Sequence, residues 1–129
     1  MDSLFKKVSY KTSKLVTSAY STSFSIGVRC LHSDIRDAIY SIYGFVRFAD
    51  EIVDTFHDYD KAKLLEKFIS DYYEAVQNGI SLNPVLNAFQ DTVKKYDIDD
   101  ALIQAFLNSM KWDLYKTTYN ESEIKEYIY

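Results

Sequence analysis

Asp50 and Asp54 stand four residues apart in the run Arg47-Phe48-Ala49-Asp50-Glu51-Ile52-Val53-Asp54. On a helix that spacing aims both carboxylates the same way, one turn apart. Stepping back from Asp54 by four, three, four, three and four residues meets Asp50, Arg47, Tyr43, Tyr40 and Arg36. One stripe thus carries two acids, two arginines and two phenols. Carboxylates held side by side repel unless a cation sits between them. The chemistry this points to is capture of a metal ion or of a polyanion–metal complex. The stripe one residue earlier, Ile35, Ile39, Ile42, Val46, Ala49 and Val53, is apolar throughout and is expected to face the core.

Positioning such a stripe takes a helical scaffold, and the composition favours one. The 129 residues suffice for one domain with a real core. Hydrophobic residues make up 47%, above a disordered composition. Three glycines and one proline leave few places for tight turns, which favours long helices over a many-stranded sheet. Twelve tyrosines and eight phenylalanines suit an apolar cavity with polar tips, and equally an ordinary aromatic core. A net charge of −4 and a pI near 5.1 argue against nucleic-acid binding. The single cysteine, Cys30, excludes an internal disulfide and a cysteine-rich zinc site. It reads as a small buried residue and fits a reducing cytoplasm. The sequence has no apolar run of about 18 residues and no signal-peptide core after Met1.

Along the chain, residues from about Ser3 to Ser18 read as an amphipathic helix, broken over Ser21 to Ser25. Ser33 or Asp34 is the expected cap of the acidic helix, which runs to about Thr55. His57 to Asp60 reads as a loop. The next helix turns Leu65, Phe68, Ile69, Tyr72 and Val76 inward and stops at Asn78-Gly79. Asn83-Pro84 opens another, burying Leu86, Phe89, Val93 and Tyr96. Asp99 caps a helix with Ile103, Phe106, Leu107, Met110 and Leu114 inward, and a last helix is expected from near Asn120 to Ser122. The final residues, Glu123 to Tyr129, read as helix with no stop signal, so the chain is expected to be part of a longer protein.

Ser21-Thr22-Ser23-Phe24, the run Arg36 to Arg47, and Asp50-Glu51-Ile52-Val53-Asp54 resemble the opening of the phytoene/squalene synthase family. Met110-Lys111-Trp112-Asp113-Leu114, Tyr119 and Glu126-Tyr127-Ile128-Tyr129 follow in the same family order. The resemblance covers nearly the whole chain and implies an all-α bundle around a central cavity. Residues 1–129 would be its N-terminal portion, most similar to a bacterial-type phytoene synthase. Two aspartate-rich helices face each other across the cavity mouth in that family and hold Mg²⁺ ions that grip diphosphates. By resemblance, Asp50 and Asp54 are the first of these motifs and the metal ligands. Ser21, Ser23 and Arg47 match diphosphate-binding positions, and Tyr43, with Arg47 and the two acids, matches the catalytic set. The second aspartate motif lies downstream of Tyr129 in the family. The implied reaction joins two geranylgeranyl diphosphates head to head into phytoene through a cyclopropyl intermediate, with Mg²⁺ as cofactor. The implied partners are a prenyl diphosphate and no nucleic acid, with a cytoplasmic location and peripheral contact with a membrane.

Each residue also has a plainer reading. Asp50 and Asp54 are otherwise a solvated helix face. Arg47 is otherwise an intrahelical ion-pair partner of Asp50 or Glu51. Glu51 lies on a different face, either solvated or supporting the site from behind. Tyr43 is otherwise a core phenol, and Ser21 and Ser23 a helix break and cap. Metal chemistry and helix capping or ion pairing both stay open for Asp113. Arg36 reads as structural; Tyr40, His32 and His57 receive no role. The competing functions are the squalene or dehydrosqualene branch, a non-catalytic assembly or binding relative, and a helical interaction module. Alone, residues 1–129 are expected to be inactive. They are also expected to self-associate through Phe68, Tyr72, Phe106 and Met110, left without neighbours.

Overall fold

The computed structural model describes the backbone of residues 3–128 and the side chains of residues 3–116. Six helices and no strand are found among the described residues. They are α1 (Ser3–Tyr20), α2 (Thr22–Arg29), α3 (Ser33–Asp54), α4 (Lys61–Asn78), α5 (Pro84–Lys95) and α6 (Asp100–Ile128).

Local chemistry sets most boundaries. Ser21 is extended, and its hydroxyl accepts from the Phe24 N–H at 3.2 Å, so one residue suffices to separate α1 from α2. Asp60 accepts from Lys63 N at 3.1 Å, Asn83 from Val85 N at 3.0 Å, and Asp99 from Ala101 N at 3.0 Å. Gly79 ends α4 in the left-handed conformation, at φ 72°, where a side chain would be strained. Two boundaries differ from expectation. The cap of α3 is His32, whose Nδ1 accepts from Asp34 N at 3.3 Å; Ser33 is already helical. No separate helix begins near Asn120, because α6 continues unbroken to Ile128. Cap-type residues are tolerated inside a helix that is already propagating.

α3 packs against all five other helices. Its two sides make different interfaces. Toward α4, α5 and α6 it builds an aromatic core centred on Phe45, which stacks on Phe89 at 4.0 Å and meets Phe68 at 5.2 Å and Tyr72 at 5.3 Å. Leu65, Leu86, Ile103, Leu107, Met110 and Leu114 complete that core. Toward α1 and α5 the interface is small and polar. Ser9, Ser13, Thr17, Ser41, Asn87 and Thr92 are fully buried there. Their groups are satisfied locally and across the seam: Thr17 Oγ1 donates to the Ser13 carbonyl at 2.9 Å, Asn87 Nδ2 donates to Ser9 Oγ at 3.0 Å, and the Ser41 and Thr92 hydroxyls lie 2.6 Å apart. Buried hydroxyls paired in this way cost little, and their small size lets helices approach closely.

That seam overturns the expected core stripe of α3. Ala49 and Val53 are buried as expected, but Ile35 is exposed and Ile39, Ile42 and Val46 are only half-buried. The buried line is Ala38, Ser41, Phe45, Ala49 and Ile52, displaced by about one residue. Ser41 and Gly44 hide the line from a hydropathy pattern, because close approach selects for size rather than for oiliness. For the same reason α1 is turned inside out, with Ser9, Ser13 and Thr17 buried while Leu4 and Leu15 face outward. Other expectations fail more simply. Phe68, Tyr72 and Met110 are buried and Phe106 half-buried, so they are not the uncovered residues. Val76 and Tyr96 are exposed; Ala75 and Val85 take the inward positions. Cys30 is exposed, because α2 is short and its C-terminal end lies at the surface. No helix among the described residues is long and apolar enough to cross a membrane.

Candidate functional site

The site residues lie on the half of α3 that the core leaves uncovered and at the α1–α2 junction. Arg47, Asp50 and Tyr43 are each partly buried on one side of α3, and Asp54 is exposed at its C-terminal end. Burial is the largest influence on Asp50 and raises its pKa. Arg47 opposes that rise, and the charges of Asp54 and Asp113 add to it. Asp113 on α6 therefore belongs to the same negative field, although α6 is distant in sequence. The C-terminal end of a helix is itself a negative pole, which compounds the repulsion among these acids. A cation among these acids would relieve their mutual repulsion.

Arg47 is held from two sides. Its Nη2 donates to Glu51 Oε2 at 2.8 Å, with the side chains only 25% and 16% exposed. Its Cζ lies 4.8 Å from the centre of the Tyr20 ring. Desolvation opposes its charge, but the hydrogen bond and charge of Glu51, aided by Asp50, outweigh it and raise the Arg47 pKa. The guanidinium stays a cation. Its Nε is buried and donates to nothing among the described residues. A buried donor of this kind costs free energy unless an acceptor arrives.

Glu51 is thus neither solvated nor idle. The Arg47 hydrogen bond is the main cause of its lowered pKa, and the Thr55 and Tyr20 hydroxyls approach the same carboxylate. Tyr43 stacks on Phe24 of α2 at 5.1 Å with 24° between the planes. Ser21 is committed to capping α2, although its side chain is only half-buried, and Ser23 is exposed on the first turn of that helix. The α1–α2 break therefore carries Tyr20 to Arg47 and Phe24 to Tyr43, with Ser21 and Ser23 between them in the chain. Tyr20 was not expected here from sequence. The available signal was its place immediately before Ser21.

The arrangement presents two aligned carboxylates, a clamped guanidinium with a spare donor, and a stacked aromatic pair. No group of three or more His, Cys, Asp or Glu side chains converges tightly enough to hold a metal unaided among the described residues. Hard oxygen ligands from outside the described residues would have to complete any coordination shell. Tyr119 and the stretch from Glu126 to Tyr129 have side chains outside the described residues.

The squalene/phytoene synthase family profile matches residues 17–129. The chloroplastic phytoene synthase 2 of Solanum lycopersicum is 29% identical over 119 residues, covering 88% of this chain and 37% of that protein. A phytoene synthase of Arthrospira platensis is 26% identical over 123 residues, covering 94% of this chain and 40% of its own length. The chloroplastic phytoene synthase 1 of Zea mays is 27% identical over 125 residues, covering 95% and 30%. The chain therefore spans well under half the length of these relatives.

Proposed function

The chain belongs to the squalene/phytoene synthase family, and on that premise we propose that it supplies one acid wall and the diphosphate clamp of a head-to-head prenyltransferase. The favoured reaction joins two geranylgeranyl diphosphates into phytoene, since the relatives above carry the name phytoene synthase. The observation that carries the reading is the juxtaposition of Asp50 and Asp54 with a buried, unsatisfied Arg47 Nε.

Mg²⁺ fits this donor set. It takes hard oxygens and is commonly bound by one or two carboxylates, with substrate phosphates and water completing the shell. Asp50 and Asp54 would hold it. When bound, it would neutralise the diphosphate and make it a better leaving group. Arg47 would donate to the diphosphate oxygens and stabilise the charge that collects there as the allylic C–O bond breaks. The Tyr43–Phe24 pair offers an aromatic face for the carbocation left behind, worth roughly 0.5–2 kcal/mol per ring. Ile39, half-buried on α3, would add apolar surface that keeps water from that cation. Ser21 and Ser23, which neighbour Tyr20 and Phe24 in the chain, would serve as further donors. The retention of both acids beside a clamped arginine favours the catalytic reading over a non-catalytic relative.

The test is Asp50→Asn in the natural protein that carries this chain. Turnover of geranylgeranyl diphosphate, followed as hydrocarbon product, is expected to fall at least about 100-fold, a loss typical of removing a group that stabilises transition-state charge. The far-ultraviolet circular dichroism should not change. Near-normal product formation by the variant would refute the metal assignment. A wild-type protein that makes squalene instead would move the reading to that branch.

A further inference from the structure

We propose that Glu51 and Tyr20 are the positioning residues of this site, fixing the orientation in which the Arg47 guanidinium meets an incoming anion. The inference rests on the prenyl diphosphate reading only for the identity of that anion. An ordinary ion pair at this spacing exists elsewhere in the chain for comparison. Lys67 and Asp71 on α4 lie 2.6 Å apart, with the lysine 72% exposed. Such an exposed pair is screened by solvent and holds neither partner in one orientation. Arg47–Glu51 has the same spacing but is far less exposed on both partners. Partial burial of two charges costs desolvation that their mutual attraction need not repay.

The extra contacts identify what the burial achieves. Glu51 holds one guanidinium nitrogen at 2.8 Å, and the Tyr20 ring covers the region beside Cζ at 4.8 Å. One nitrogen and one face are then fixed, and Nε is buried behind them. Tyr20 arrives from the end of α1, and Thr55 approaches Glu51 from just beyond α3. Tyr20 and Thr55 thus converge with Arg47 on the same carboxylate. A planar fork gains from such preorganisation, because its donors must match two oxygens in fixed geometry.

A double-mutant cycle on the natural protein tests this. Glu51→Gln is expected to raise KM for the prenyl diphosphate about tenfold while the thermal midpoint moves little. Tyr20→Phe keeps the ring and removes the hydroxyl, and should raise KM about threefold. In an Arg47→Lys background, Glu51→Gln should add less than about twofold, because it acts through the arginine. An unchanged KM in Glu51→Gln, or equal losses in both backgrounds, overturns the proposal. The same cycle read as calorimetric affinity for inorganic diphosphate with Mg²⁺ separates the two claims. If the wild type makes no prenyl product, the function reading falls while this affinity cycle still decides the positioning. Absence of diphosphate binding by the wild type overturns both.

Discussion

Asp50 is a carboxylate kept where its charge is unwelcome. Burial raises its pKa, and Asp54 and Asp113 push the same way against the pull of Arg47. A folded-state pKa above the unfolded one means that the charged form opposes folding. That opposition is absent below the unfolded value and grows as pH rises through the folded one. Asp50→Asn is therefore expected to raise the thermal midpoint at pH 7 in chelator, even though it removes the activity. The gain should shrink as pH falls into the carboxylate range. Melting curves at several pH values would check it, and a variant less stable than the wild type at pH 7 would contradict the account. Sequence spacing placed Asp50, Arg47 and Tyr43 on one side of a helix correctly. It left open whether Arg47 pairs with Asp50 or Glu51, since both lie within a turn, and side-chain direction decided for Glu51.

Helix positions were legible wherever a stop signal has a single physical meaning. Asn83-Pro84 and Asp99 open helices and Gly79 closes one, as their capping chemistry requires. The facing of α1 and α3 was not legible, because their contact is built from serine, threonine and glycine rather than from large apolar residues. Tertiary packing overrode the hydropathy pattern there. Gly44 makes the point quantitative. A methyl group built at this position would lie 3.4 Å from Ser13 Oγ and 3.5 Å from Val85 Cγ1, which is ordinary van der Waals contact. Alanine outperforms glycine in a helix interior by about 1 kcal/mol. Gly44→Ala is thus expected to stabilise the chain by about 0.5–1 kcal/mol. Gly44→Leu should cost about 1–3 kcal/mol by overpacking the same seam. Urea titration of both variants reads the difference, and a destabilised alanine variant would mean that the seam cannot yield even a few tenths of an ångström.

At the scale of the whole molecule, core and site occupy different halves of α3. The aromatic core around Phe45 closes within α3, α4, α5 and α6. The acids and Arg47 sit where those helices leave α3 partly open. Folding and catalysis should accordingly separate. The 129-residue chain alone is expected to be helical and to melt cooperatively, because Phe45, Phe68, Tyr72 and Phe89 are already buried together. It is also expected to make no prenyl hydrocarbon from geranylgeranyl diphosphate. Two carboxylates without a facing set bind Mg²⁺ weakly, and the described residues hold no tighter cluster. Self-association is expected too, but not through Phe68, Tyr72 or Met110, which the core has taken. The exposed candidates are Leu4 and Leu15 on α1, Leu82 before α5, and Leu102 and Trp112 on α6. Sedimentation and a product assay on this chain decide the matter together. A monomer that turns over substrate would show that one acid wall suffices. A chain without a cooperative melt would show that the core depends on contacts beyond it.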